Sequence, residues 1–270
     1  IWRVITVSDP AMYAASVFHR VLEEEGVRVL GQARPVAHRD DSRVTGGQVV
    51  APAFGSRPTR PLRTVAVHYS PPLAELLGVM NRVSHNLFSE LFLFPLGRIA
   101  EGDGSFDGGS RAMTEYLVRT VGVLDGDLRV VDGSGLSRRN RATPSAFVRL
   151  FTYVAGSTFA DDFWASLPVA GNRLQLGRMY NTAAAGNLRA KTGTIRRVSA
   201  LSGVVRTAGG EAVLFSIVSN GVPYTNQAKR IEDQIGVRLA SLSRDGSPSE
   251  PRFAVVEYGD YGPRILEPLA

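Results

Sequence analysis

Hydrophobic positions along the chain fall into helical spacing first and into strand alternation last. Ser8, Asp9 and Pro10 form a helix start, with Asp9 able to cap and Pro10 suited to the first turn. Ala14, Val17, Phe18, Val21 and Leu22 then recur at helical intervals, and Gly26 supplies a stop, so the pattern predicts a helix of about four turns. Val27 to Leu30 reads as a short strand, and residues 31–60, rich in Arg, Gly, Pro and Ser, as a long connection or boundary. Leu62 to His68 alternates as a strand would. Pro71-Pro72 opens a helix with Leu73, Leu76, Leu77 and Met80 on one face.

Ser84-His85-Asn86 follows where that helix ends, and a second apolar helix, Leu87 to Phe94, is expected to stop at Pro95. Residues 101–109 form an acidic, glycine-rich stretch without the register of a calcium loop, and they read as a turn. A helix is expected over Ser110 to Val121. Thr143-Pro144 caps another, with Ala146, Phe147, Leu150, Phe151 and Val154 turned inward.

The last third changes period. Leu188 to Ile195, Val198 to Thr207 and Glu211 to Ser219 are β-rich, and Ala208-Gly209-Gly210 joins the last two as a hairpin. A closing helix over Thr225 to Leu242 sets Ile231, Ile235 and Leu239 on one face, and a tail follows with one strand expected at Phe253 to Tyr258. The sum is an α+β arrangement: helices, then a terminal antiparallel sheet covered by a helix.

Composition narrows the chemistry. The 270 residues include no cysteine, which excludes disulfides, thiolate metal sites and cysteine nucleophiles. No apolar run is long enough to span a bilayer, so no transmembrane segment is expected in this chain. The net charge is +6, but the basic residues are almost all arginines scattered along the chain, a pattern that argues against a nucleic-acid partner. The four histidines, at 19, 38, 68 and 85, show no metal-ligand spacing, and no metal or cofactor is expected. Gly133-Ser134-Gly135 does not form a nucleophile elbow, and there is no phosphate loop.

Two triplets remain. Lys191-Thr192-Gly193, followed by Thr194, lies on an expected edge strand, where an ammonium and a hydroxyl would flank a cleft and the glycine would admit a substrate backbone. Alone it is equally an exposed strand start. Ser84-His85-Asn86 alone reads first as a capping serine beside an asparagine. Together, in this order, they match the second and third elements of the Ser-x-x-Lys, Ser-Asp-Asn, Lys-Thr-Gly signature of penicillin-binding proteins and serine β-lactamases.

With Asp9-Pro10-Ala11-Met12-Tyr13-Ala14-Ala15, Ser70-Pro71-Pro72-Leu73, the Met80 to Leu87 segment, Asp132-Gly133-Ser134-Gly135-Leu136-Ser137-Arg138 and Leu167-Pro168-Val169-Ala170-Gly171, the chain resembles the penicillin-recognising D-alanyl-D-alanine carboxypeptidase/endopeptidase family, whose members carry a large insert between the first two motifs. The resemblance runs over about residues 4–240. It implies a penicillin-binding-protein/serine β-lactamase-like fold, incomplete at the N-terminus, with the end of the inserted domain and its connection at 1–60, the domain carrying both motifs at 61–242 and a tail at 243–270. It implies peptidoglycan stem peptides as substrates, β-lactams as inhibitors of the full-length parent, and a location outside the cytoplasmic membrane. The Asp132 to Ser137 segment and the long lead-in argue against a β-lactamase.

Roles follow from the same resemblance. Ser84 is expected to relay a proton toward the leaving D-alanine, and Asn86 to hydrogen-bond the activating lysine and the substrate amide. Lys191 would supply positive potential, Thr192 would hold the terminal carboxylate, Gly193 would let the substrate backbone approach, and the N–H of Thr194 would serve as one oxyanion donor. His85 stands where the family often has Asp. The serious departure is the nucleophile: Lys191 and Lys229 are the only lysines, and Leu188 and Asn226 stand three places before them, so Ser-x-x-Lys is absent. The expectation is a C-terminal part of a longer serine peptidase, inactive alone; the rival is a non-catalytic peptidoglycan- or penicillin-binding module.

Overall fold

The computed structural model describes residues 7–35, 44–45, 48–49 and 67–243. The chain divides into two compact units, 1–69 and 70–270. The expected strand at Phe253 to Tyr258 lies outside the described residues, as do the tail from residue 244 and most of the strand placed at Leu62 to His68.

In the first unit, α1 runs Pro10–Glu24, with Asp9 Oδ1 accepting from Met12 N at 2.9 Å and Pro10 in the first turn. Gly26, at φ +79°, ends it, and Val27 N bonds back to Leu22 O. The strand expected at Val27 to Leu30 does not form: an apolar run alone supplies no ladder partner, and Leu30 lies exposed. The stretch read as a long connection or boundary contains a short antiparallel ladder, β1 (Val44–Thr45) with β2 (Gln48–Val49).

The second unit opens with α2, Leu73–Val83, and α3, Asn86–Glu101. Helix α3 continues through Pro95, contrary to the stop expected there. Proline removes one N–H donor, but the acceptor it frees belongs to Leu91, an exposed residue whose carbonyl water can reach. Packing keeps the helix going. A Cβ on Gly97 would come within 2.5 Å of Gly109 N, and one on Gly109 within 2.3 Å of Leu93 O, so α3 and α4 touch through their backbones.

That contact also corrects the reading of 101–109 as a turn. Only the segment around Gly102 to Ser105 turns, with Gly102 in the left-handed region; Ser105 accepts from Gly108 N at 3.0 Å and starts α4, Phe106–Arg119, four residues before the expected Ser110. Glycines 108 and 109 serve a helix crossing. A two-residue ladder, β3 (Leu128–Arg129) with β4 (Arg141–Ala142), precedes α5, Pro144–Ala155, which starts where the sequence indicated, with Thr143 Oγ1 accepting from Ala146 N. Helix α6, Ala160–Ser166, follows.

Strands β5 (Arg189–Ile195), β6 (Val198–Arg206) and β7 (Ala212–Asn220) form an antiparallel sheet in that order, and α7, Thr225–Ala240, closes the unit. Alternation divides the sheet's faces. Leu201, Val205 and Phe215 join Leu188, Met179 and Ala240 in one core, while Val204 and Leu214 meet Phe151, Val154, Trp164 and Leu167 in the other.

Helix α7 buries Ala228, Glu232, Gly236 and Ala240, leaving Ile231 and Ile235 exposed. The larger residues cannot take that place, because even a Cβ on Gly236 would lie 2.8 Å from Leu188 Cδ1. Glu232, fully buried, is held by Arg178 at 2.9 Å, and Arg178 also bonds Asp233 at 2.7 Å, fixing the segment ahead of β5 to α7.

Candidate active site

Helix α2 ends on Ser84, whose φ of +53° puts a non-glycine residue in the left-handed region. His85 N reaches back to Met80 O at 3.0 Å, and the chain reverses into α3, with His85 as its cap and Asn86 as its first residue. Ser84 therefore ends one helix, and His85 rather than the serine caps the next. The end of α2 is moored to α6 by Asn81 Nδ2 to Ser166 Oγ at 2.7 Å and Arg82 Nη2 to the Ala165 carbonyl at 2.9 Å.

On β5, Lys191 stands opposite Ser202 of β6. Its neighbours on that sheet face are small or polar, Ser202 and Ser216 being hydrogen-bonded at 2.8 Å, so the long side chain is free to extend toward the α2–α3 corner. There the Lys191 ammonium donates to the Ser84 hydroxyl, and also to the Thr192 carbonyl at 3.1 Å. Burial pushes this ammonium below its ordinary value. A cation held beside a hydroxyl, with its own proton loosened, suits both charge stabilisation and proton transfer.

The other sequence-derived candidates sit around this pair. Thr192 is half-buried and stands opposite Leu201, on the face turned away from Lys191. Gly193 and Thr194 are exposed; a Cβ on Gly193 would meet only Ala200 Cβ, at 3.5 Å, which leaves the outer side of the strand open to an approaching backbone. The Asn86 side chain is exposed and makes no hydrogen bond among the described residues. A cleft of about 690 Å³ continues past Thr194, bordered by Arg196, Arg197 and Tyr224.

The sequence did not single out Glu90. One turn after Asn86, its carboxylate accepts from the amides of Gly133 at 3.0 Å and Ser134 at 3.1 Å. Gly133 lies so close to α3 that a Cβ there would be 2.1 Å from Ser89 O. Asp132 shapes the rest of this loop, accepting from Gly135 N at 2.8 Å and Asn140 Nδ2 at 2.6 Å, while Arg138 Nη2 reaches the Arg196 carbonyl at 3.1 Å, beyond the end of β5. The 132–140 loop thus joins the helix that carries Asn86 to the strand that carries Lys191. Its only signal in the sequence is the length of the Asp132 to Arg138 match.

Residues 2–242 match the model of the D-Ala-D-Ala carboxypeptidase 3 (S13) family. The chain belongs to that family. Among its relatives, the D-alanyl-D-alanine carboxypeptidase of Actinomadura sp. (strain R39) is 34% identical over 257 residues, covering 92% of this chain and 44% of its own length. The carboxypeptidase DacB of Mycolicibacterium smegmatis is 32% identical over 197 residues, or 67% of this chain and 43% of that protein. Penicillin binding protein 4 from Haemophilus influenzae, solved with a β-lactam, superposes with a TM-score of 0.69 at 23% identity, over 88% of this chain and 53% of that one. The fold is therefore the α+β fold of that protein. This S13 chain spans about half the length of the relatives it matches.

Proposed function

We propose that this chain supplies the second and third motifs of a serine-type D-Ala-D-Ala carboxypeptidase or endopeptidase that acts on peptidoglycan stem peptides outside the cytoplasmic membrane. The observation that carries the reading is the bond between Lys191 and Ser84, which joins the two motifs in one site. In the complete reaction a serine hydroxyl adds to the penultimate D-alanine carbonyl. The amide C–N bond breaks, D-alanine leaves with a proton, and water hydrolyses the acyl-serine ester.

In that sequence Ser84 relays the proton to the leaving amine, with Lys191 lowering the cost of the charge that forms. Asn86 orients the substrate amide, Thr192 takes the terminal carboxylate from the opposite face of this edge strand to Lys191, Gly193 gives the peptide backbone room and the Thr194 N–H donates to the oxyanion. The serine itself and its Ser-x-x-Lys lysine are not among these 270 residues, so the chain alone does not turn over. β-Lactams acylate the same serine in the full-length protein.

D-Alanine release from a diacetyl-Lys-D-Ala-D-Ala peptide tests the reading. The protein isolated from its native cell is expected to release D-alanine, with at least a hundredfold loss in Ser84→Ala or Lys191→Ala. Release unaffected by both substitutions overturns it. The absence of Ser-x-x-Lys from the chain favours a second reading, a non-catalytic binding module. Reversible binding of penicillin by the native protein, without D-alanine release, would establish that one instead.

A further inference from the structure

His85 stands between two residues of the proposed site and has no role in the reaction above. Its backbone is extended, at φ −76° and ψ 94°, and its Nδ1 accepts from the backbone N–H of Phe88 at 3.3 Å, which is the capping bond of α3. The ring also lies against Phe88, with centroids 4.2 Å apart. Serine, threonine, aspartate and asparagine usually fill such a position. A histidine fills it only while Nδ1 is bare, because an imidazolium has a donor at each nitrogen and no acceptor.

Protonation removes the cap and also places a positive charge at the positive end of the helix dipole. Both effects loosen the same turn. That turn begins with Asn86, and Ser84, already in the left-handed region, is tied to it through His85, whose amide bonds to Met80 O and whose carbonyl accepts from Ser89 N at 3.2 Å.

The charged groups on the elements meeting here are Glu75 and Arg82 of α2, Glu90, Arg98 and Glu101 of α3, Asp132, Arg138 and Arg139 of the 132–140 loop, and Arg189 and Lys191 of β5. Arg82 is bonded to the Ala165 carbonyl, Glu90 to the Gly133 and Ser134 amides, Asp132 to the Gly135 amide and Asn140, and Lys191 to Ser84. None of them is bonded to the imidazole among the described residues, so none takes over the cap when the ring is protonated.

We propose that His85 is a positioning residue for the Ser84 to Asn86 corner: its neutral imidazole caps α3, and its protonation releases the first turn of that helix and the two site residues attached to it. The consequence for catalysis rests on the serine-peptidase reading. The capping itself does not.

The test is an NMR pH series on this chain from pH 8 to 5, with His85→Asn as the control that keeps a capping acceptor but does not ionise. The neutral ring is expected to carry its proton on Nε2. Phe88 amide protection is expected to fall about fivefold as the ring protonates, the usual effect of losing a cap, with the Asn86 amide shifting at the same midpoint; in His85→Asn neither changes.

A neutral ring protonated on Nδ1, Phe88 protection that ignores the titration, or the same pH response in His85→Asn each overturns the proposal. In the native protein, His85→Asn is expected to weaken the acid limb of the pH profile for penicillin acylation, and an unchanged limb contradicts the positioning role. Because the NMR readout needs no turnover, failure of the D-alanine assay leaves the capping result standing.

Discussion

The ammonium of Lys191 on β5 donates to the hydroxyl of Ser84 at the end of α2, across 107 residues of sequence. Each triplet alone has an ordinary structural explanation, a strand start or a helix boundary. Their contact does not follow from either explanation, since nothing in strand or cap formation requires a half-buried cation to extend toward a left-handed serine.

The cost of that cation gives a first prediction. Burial lowers the Lys191 ammonium below 10.5, so the folded chain holds this proton less tightly than the unfolded chain does. Wild-type stability is therefore reduced below the folded-state titration and recovers as pH rises toward the ordinary lysine value. Lys191→Met is expected to melt higher than wild type at pH 7, with the gap closing by about pH 10.5. A Lys191→Met chain that melts lower at pH 7 contradicts this.

Glu90 concerns the loop beside the site. Glu90→Ala leaves the Gly133 and Ser134 amides without their acceptor and is expected to cost about 2 kcal/mol in urea unfolding. Glu90→Gln, which retains an acceptor oxygen but not the charge, is expected to cost about half as much. Amide exchange at 133 and 134 should rise in both variants, and a Glu90→Ala chain as stable as wild type would show that the loop is held by other contacts.

Arg178 fixes the approach to β5. Removing it in Arg178→Met leaves Glu232 as an uncompensated charge in the core, with an expected loss of about 3 kcal/mol. Replacing both partners, Arg178→Met with Glu232→Met, should recover most of that loss, because the buried charge is gone. Equal destabilisation of the single and double variants would mean that the contact with Asp233 carries the segment instead.

The sequence reading found what rests on local rules. Alternation located β5, β6 and β7, and the Thr143-Pro144 cap located α5, because each depends on neighbours in the chain. It failed where a distant element decides. Gly108 and Gly109 look like a turn until Gly97 is seen against the first and Leu93 O against the second, and Ile231 and Ile235 look like the buried face of α7 until Gly236 is found against Leu188. In the site, motif order pointed to Ser84 and Lys191, but Glu90 is visible only once α3 and the 132–140 loop lie side by side, and the His85 cap, though local, is made by a residue type that seldom caps helices.

The most direct test of the account is intact-mass spectrometry after incubation with benzylpenicillin, on this chain and on the protein isolated from its native cell. The account expects this chain to stay at 29.1 kDa and the native protein to gain one penicilloyl group on the serine of a Ser-x-x-Lys motif outside these residues. A penicilloyl group on this chain, or none on the native protein, would contradict it.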